Sequence, residues 1–112
     1  MAEQAAGAPA APIEVVHNPE RHRYELRGGE DGDAVVGFTK YRPAGGKVVF
    51  IHTEVDGAYA GQGLASKLAR SALSDVRDAG RRIVPVCPYI ASWLRKHHDF
   101  DDIVDWPAEQ EG

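Results

Sequence analysis

One cysteine, one methionine and no long apolar run are what this 112-residue chain brings to the usual stabilising devices. A lone thiol, Cys87, cannot close an internal disulfide, so the chain suits a reducing compartment, and the cytoplasm is the expected location. No uninterrupted apolar segment approaches the roughly 20 residues that cross a bilayer, so no membrane partner is expected. Positive charge is also short: 13 Lys+Arg stand against 17 Asp+Glu, a formal net charge of -4. A protein built to neutralise nucleic-acid phosphates carries the opposite balance, which makes nucleic acid an unexpected partner. The length allows one small domain and excludes two.

Both ends have little to bury. Residues 1–12 are rich in Ala, Pro and Gly, and Glu3 stands where a signal peptide needs positive charge. They read as a disordered tail, residues 107–112 read the same way, and residues 13–106 are the expected domain.

The domain divides by period. Residues 13–17, 23–27, 34–41 and 47–55 have strand character, with Tyr24 and Leu26 on one face of the second. Asn18-Pro19, the cluster 28–33 and Pro43-Ala44-Gly45-Gly46 are turns too short for helical crossovers, so these strands form an antiparallel meander. From Leu64 the spacing becomes helical, with Leu64, Ala65, Leu68, Ala69, Ala72, Leu73 and Val76 on one side and Gly80 as the stop. Residues 82–87 form a further strand, and Pro88 opens a second helix through about His98. Trp93, Leu94, Phe100 and Trp106 are assigned to the core. The fold class is α/β (α+β), a mixed and mostly antiparallel sheet flanked by helices.

Where the fourth strand gives way to the long helix stands Ala60-Gly61-Gln62-Gly63-Leu64-Ala65-Ser66-Lys67. Glycines let the backbone turn several N–H groups outward, and a helix N-terminus adds unpaired donors and the positive end of its dipole. A diphosphate fits such a turn, although glycines also simply bend chains. Two nucleotide motifs are excluded. A Walker loop needs Gly-Lys-Ser/Thr, whereas here Ser66 precedes Lys67, and a dinucleotide fingerprint needs a third glycine where Ser66 stands.

Meander, Gly61-Gln62-Gly63-Leu64-Ala65 opening a helix, then strand and helix: this order resembles the GCN5-related N-acetyltransferase family over residues 14–104. It is most similar to the minimal, stand-alone branch, whose Gly-Gln-Gly loop and Val-x-Cys-Pro segment are matched by Gly61-Gln62-Gly63 and by Val86-Cys87-Pro88. Ala60 departs from the Gln/Arg that opens the family's loop pattern, which implies weakened rather than abolished cofactor affinity. The helix pair that larger members place after the first strand is also missing.

The resemblance implies acetyl-CoA as cofactor and an amine as acceptor. It places the diphosphate on the amides of Gln62, Gly63, Leu64 and Ala65 beside Gly61 and Ser66, and the pantetheine arm along the strand ending at Val55. Amine acetylation needs a base and an acid. Glu54 is the candidate base, with His52 on its face. Cys87, just before a helix N-terminus, and Tyr89 are candidates for protonating the thiolate, and Cys87 is also a candidate nucleophile that is acetylated first. His97-His98-Asp99 has no zinc spacing and reads as surface. A non-catalytic acyl-CoA-binding module is the alternative function. The acceptor and the oligomeric state stay open at this point.

Overall fold

Alternating apolar and polar side chains lay down four strands, β1 (Ala11–Asn18), β2 (Arg23–Gly29), β3 (Ala34–Ala44) and β4 (Lys47–Val55). In this computed structural model, which describes residues 11–29, 34–59 and 61–107, each pairs antiparallel with the next. β1 begins two residues inside the stretch expected to be tail, because Ala11 pairs with Gly29. Residues 1–10 and 108–112 of the expected tails, residues 30–33 of the first turn cluster and Ala60 of the glycine loop lie outside the described residues.

A helix, α1 (Leu64–Asp78), carries the chain to β5 (Arg82–Pro85), which lies parallel to β4 and completes a sheet of order β1-β2-β3-β4-β5. A second helix, α2 (Pro88–Lys96), follows and touches β4, β5 and α1. The helical stripe is the one the spacing predicts: Leu68, Ala69, Ala72, Leu73 and Val76 are buried with Tyr24, Leu26, Tyr41 and Phe50 of the sheet. Ile83, Ile90, Trp93, Leu94 and Phe100 extend the same core. Each fully buried leucine here contributes about 1.5–3 kcal/mol by leaving water. None of the described helices is long and apolar enough to cross a membrane.

Three expectations are corrected. β5 stops at Pro85, not Cys87, because the Cys87 N–H turns to the Phe50 carbonyl (2.7 Å) and Pro88 begins α2 at once. α2 stops at Lys96, since His97 is extended at its C-cap. Trp106 is not core. The chain's last anchors on β5 are the Ile83–Val104 bridge and the Asp105 N–H to the Ile83 carbonyl (2.8 Å). Beyond them Trp106 stays 36% exposed, with the Arg95 guanidinium over its ring at 5.0 Å.

A β-bulge decides what β4 presents to each side. Tyr41 pairs with Phe50 and Lys40 with His52, leaving Ile51 as the extra residue. Period-two counting from buried Phe50 would put His52 and Glu54 under α1. The bulge instead turns Thr53 inward, where it bonds buried Thr39 (2.9 Å), and leaves His52 and Glu54 exposed on the other face.

On that second face β2 carries a buried acid. Glu25 is 1% exposed and accepts hydrogen bonds from Arg23 Nε (2.6 Å), Arg27 Nη2 (2.6 Å) and Asn18 Nδ2 (3.1 Å). Burial pushes its pKa up, but the hydrogen bonds from these three residues outweigh it and hold the carboxyl below the usual range.

Candidate functional site

The turn into α1 leaves the start of the helix without a side-chain cap. Gly61 and Gly63 take φ of 81° and 76°, the left-handed region that glycine alone enters freely. Gly63 is the N-cap, and no side chain caps the helix. The first backbone bond across the turn runs from the Lys67 N–H to the Gly63 carbonyl (3.1 Å), so the amides ahead of it have no intrahelical acceptor. A Cβ at either glycine would meet nothing within 4 Å among the described residues. A free set of donors at a positive dipole end is a chemical match for the diphosphate of coenzyme A.

Beside this turn the sheet opens. β4 and β5 pair only from Lys47–Arg82 to Phe50–Pro85. Pro85 closes the ladder without an N–H to give. Residues 51–55 continue with β3 as their strand partner, and β5 has already ended. The stretch of β4 beyond Phe50, up to half-buried Val55, has no strand partner on the gap side among the described residues.

Cys87 lies at the root of the gap, 2% exposed and N-cap to α2. Its Sγ is 3.2 Å from Thr53 Oγ1, which in turn meets Thr39 Oγ1. Half-buried Tyr89 follows within the first turn of α2, and its hydroxyl pKa is raised by burial first and by the neighbouring Cys87 charge second. Glu54, adjacent to Thr53, points the opposite way. Its Oε2 meets His52 Nε2 at 2.7 Å, and it lines a groove of about 270 Å³ with Arg23, Val35, Val36, Gly37, Phe38 and Asp56. The structure therefore brings Cys87 and Tyr89 to one side of β4 and Glu54 to the other. Gly37 floors this groove of necessity, since a Cβ there would sit 2.9 Å from the Glu54 carbonyl oxygen.

Of the residues assigned to the turn, Gly61, Gln62 and Gly63 are exposed, while Leu64, Ala65 and Ser66 are half-buried in the first turn of α1. Ser66 Oγ accepts a hydrogen bond from Trp93 Nε1 of α2 (2.8 Å). Sequence reasoning missed both Thr53 and Trp93 as site neighbours, because each contact joins segments far apart in the chain. The His97-His98-Asp99 run is dispersed: His97 stacks on Trp93, His98 meets Asp101, and Asp99 pairs with Arg70.

Comparison with known proteins bears on the family and the fold. A family model described as GCN5-related N-acetyl-transferase matches residues 23–103. Protein NATD1 of Bos taurus is 34% identical over 94 residues, covering 81% of each chain, and Protein NATD1 of Homo sapiens is 32% identical over 104 residues, covering 87% of this chain and 90% of that protein. A GCN5-like protein of Staphylococcus aureus, solved by NMR, shares the fold with a TM-score of 0.64 at 19% identity, over 84% of this chain and 89% of its own.

Proposed function

The chain belongs to the GCN5-related N-acetyltransferase family, and from that premise we propose that it binds acetyl-CoA and transfers the acetyl group to an amine. The observation that carries this reading is the coincidence of an uncapped glycine turn with the gap between β4 and β5. Acetyl-CoA, when bound, supplies a thioester carbonyl open to attack.

In this reading the amides of residues 62–65 and the Ser66 hydroxyl hold the diphosphate, with Gly61 and Gly63 setting the turn. The edge of β4 near Val55 pairs with the pantetheine amides and orients the arm. The amine enters by the groove beside Glu54, whose carboxylate takes the proton that the amine must lose. Tyr89, with its raised pKa, keeps its proton at neutral pH, so it or Cys87 protonates the departing thiolate. In a two-step route Cys87 Sγ would take the acetyl group while its proton passed to the departing thiolate, and the amine would then take the acetyl group from Cys87 and return a proton to Sγ. The burial of Cys87 favours direct transfer. The lone thiol supports a reducing, cytoplasmic setting.

One feature favours a second reading, a non-catalytic acyl-CoA-binding module. Between β1 and β2 stands a single 3-10 turn, Pro19–Arg21, and no α-helix is found there among the described residues. Incubation with acetyl-CoA and a panel of amines, followed by coenzyme A release and intact mass, separates the readings. Amine-dependent release with acetylated product is the expected result. Binding without release across the panel favours the module, and absence of binding overturns both.

A further inference from the structure

Trp93 of α2 reaches into the first turn of α1 by a hydrogen bond, and its aim is fixed from several directions. The ring is 4% exposed. His97 stacks on it with centroids 4.0 Å apart and planes 14° from parallel, and His97 Nδ1 lies 2.9 Å from the Trp93 carbonyl. The Arg70 guanidinium sits 5.2 Å from the ring centroid and is itself held by Asp99 Oδ2 at 2.8 Å. An indole has one donor and no acceptor. Here that donor goes to Ser66 Oγ at 2.8 Å.

A serine hydroxyl has one proton and two lone pairs. With one lone pair occupied from the α2 side, the rotor is restrained and its proton is directed away from Trp93. The hydroxyl belongs to the first turn of α1, whose N-terminus no side chain caps, and no acceptor for its proton is found among the described residues. We propose that Trp93 is a positioning residue for the diphosphate: its N–H fixes Ser66 so that the hydroxyl donates to the bound anion alongside the backbone amides. The inference rests on the cofactor reading given above. It also ties the diphosphate turn to the helix that Cys87 caps, since Trp93 lies on the helix opened by Pro88.

The test uses the full chain with coenzyme A and with pantetheine, which lacks the diphosphate. Trp93→Phe keeps an aromatic ring and removes the donor. A neutral hydrogen bond of ordinary strength corresponds to a roughly three- to tenfold loss of coenzyme A affinity, with pantetheine affinity unchanged. In a Ser66→Ala background the same change adds nothing, because Trp93 acts through that hydroxyl. In nitrogen-15 spectra the Trp93 indole signal moves with coenzyme A and not with pantetheine, and it stops responding in Ser66→Ala, with Trp106 as internal reference. Equal coenzyme A affinity in Trp93→Phe, equal losses for both ligands, or additive losses in the double variant overturn the inference and leave the cofactor reading standing. Failure of the unaltered chain to bind coenzyme A overturns that reading and this inference with it.

Discussion

Thr53 Oγ1 and Cys87 Sγ meet at 3.2 Å where β4 and β5 part, while the next residue, Glu54, faces the opposite side of the sheet. Cys87 and Glu54, the two candidates for acid–base work, thus lie on opposite faces of β4. The Ile51 bulge makes this possible, because it reverses the alternation of β4 just before Thr53.

Replacing Cys87 by Ala should leave coenzyme A affinity within about twofold and lower turnover about a hundredfold, the usual scale of a positioned proton donor. Loss of a small buried side chain costs about 1–2 kcal/mol of stability, so steady-state rates and urea denaturation belong in one experiment. Unchanged turnover in a folded variant removes Cys87 as both acid and nucleophile.

Glu54→Gln keeps the shape of the groove wall and removes the proton acceptor. The account expects kcat/KM for the amine to fall about a hundredfold at neutral pH, with coenzyme A binding unaltered because Glu54 faces away from the glycine turn. The deficit should shrink as pH rises and more of the amine arrives already neutral. A full rate at neutral pH assigns the base elsewhere.

Much of the architecture was legible in the chain, and what was not has identifiable causes. Helical spacing from Leu64 to Val76 and alternation in Tyr24–Leu26 place the core, because burial rewards those periods directly. The bulge at Ile51 has no sequence mark, since a β-branched residue suits a regular strand equally well. Buried Glu25 is a charge at a half-covered position, and only the convergence of Arg23, Arg27 and Asn18 makes it tolerable. Trp106 reads as core by composition, yet it lies past the last contact that holds the chain to β5. Candidate residues that follow from local chemistry, such as the glycines and Cys87, are legible in the sequence. The contacts of Thr53 and Trp93 depend on tertiary structure and are not.

Acid should loosen the segment after α2 through Asp105. Hydrogen bonds from Arg82 (2.9 and 2.8 Å), and then from Lys47 (3.2 Å), hold this carboxyl down at about 2. A pKa lower in the folded than in the unfolded chain stabilises above the unfolded value near 3.8 and is lost as pH falls through about 2. The site is a third exposed, so Asp105→Asn should cost only about 1 kcal/mol at pH 7. Urea curves of the two proteins should converge as pH drops from 4 to 2. A constant separation contradicts the assignment.

Gly63→Ala forces an L side chain to φ 76° and costs about 1 kcal/mol. Because the strain reorients amides at the start of α1, coenzyme A affinity should fall while pantetheine affinity does not. Paired calorimetric titrations check this, and equal affinity for coenzyme A in both proteins denies the turn its role.

The most direct test of the central claim is a titration of the unaltered protein with coenzyme A, read by calorimetry and by backbone amide signals. The account predicts saturable heat and shifts concentrated at residues 61–66 and along β4 to Val55. No heat at millimolar ligand, with those signals unmoved, contradicts it.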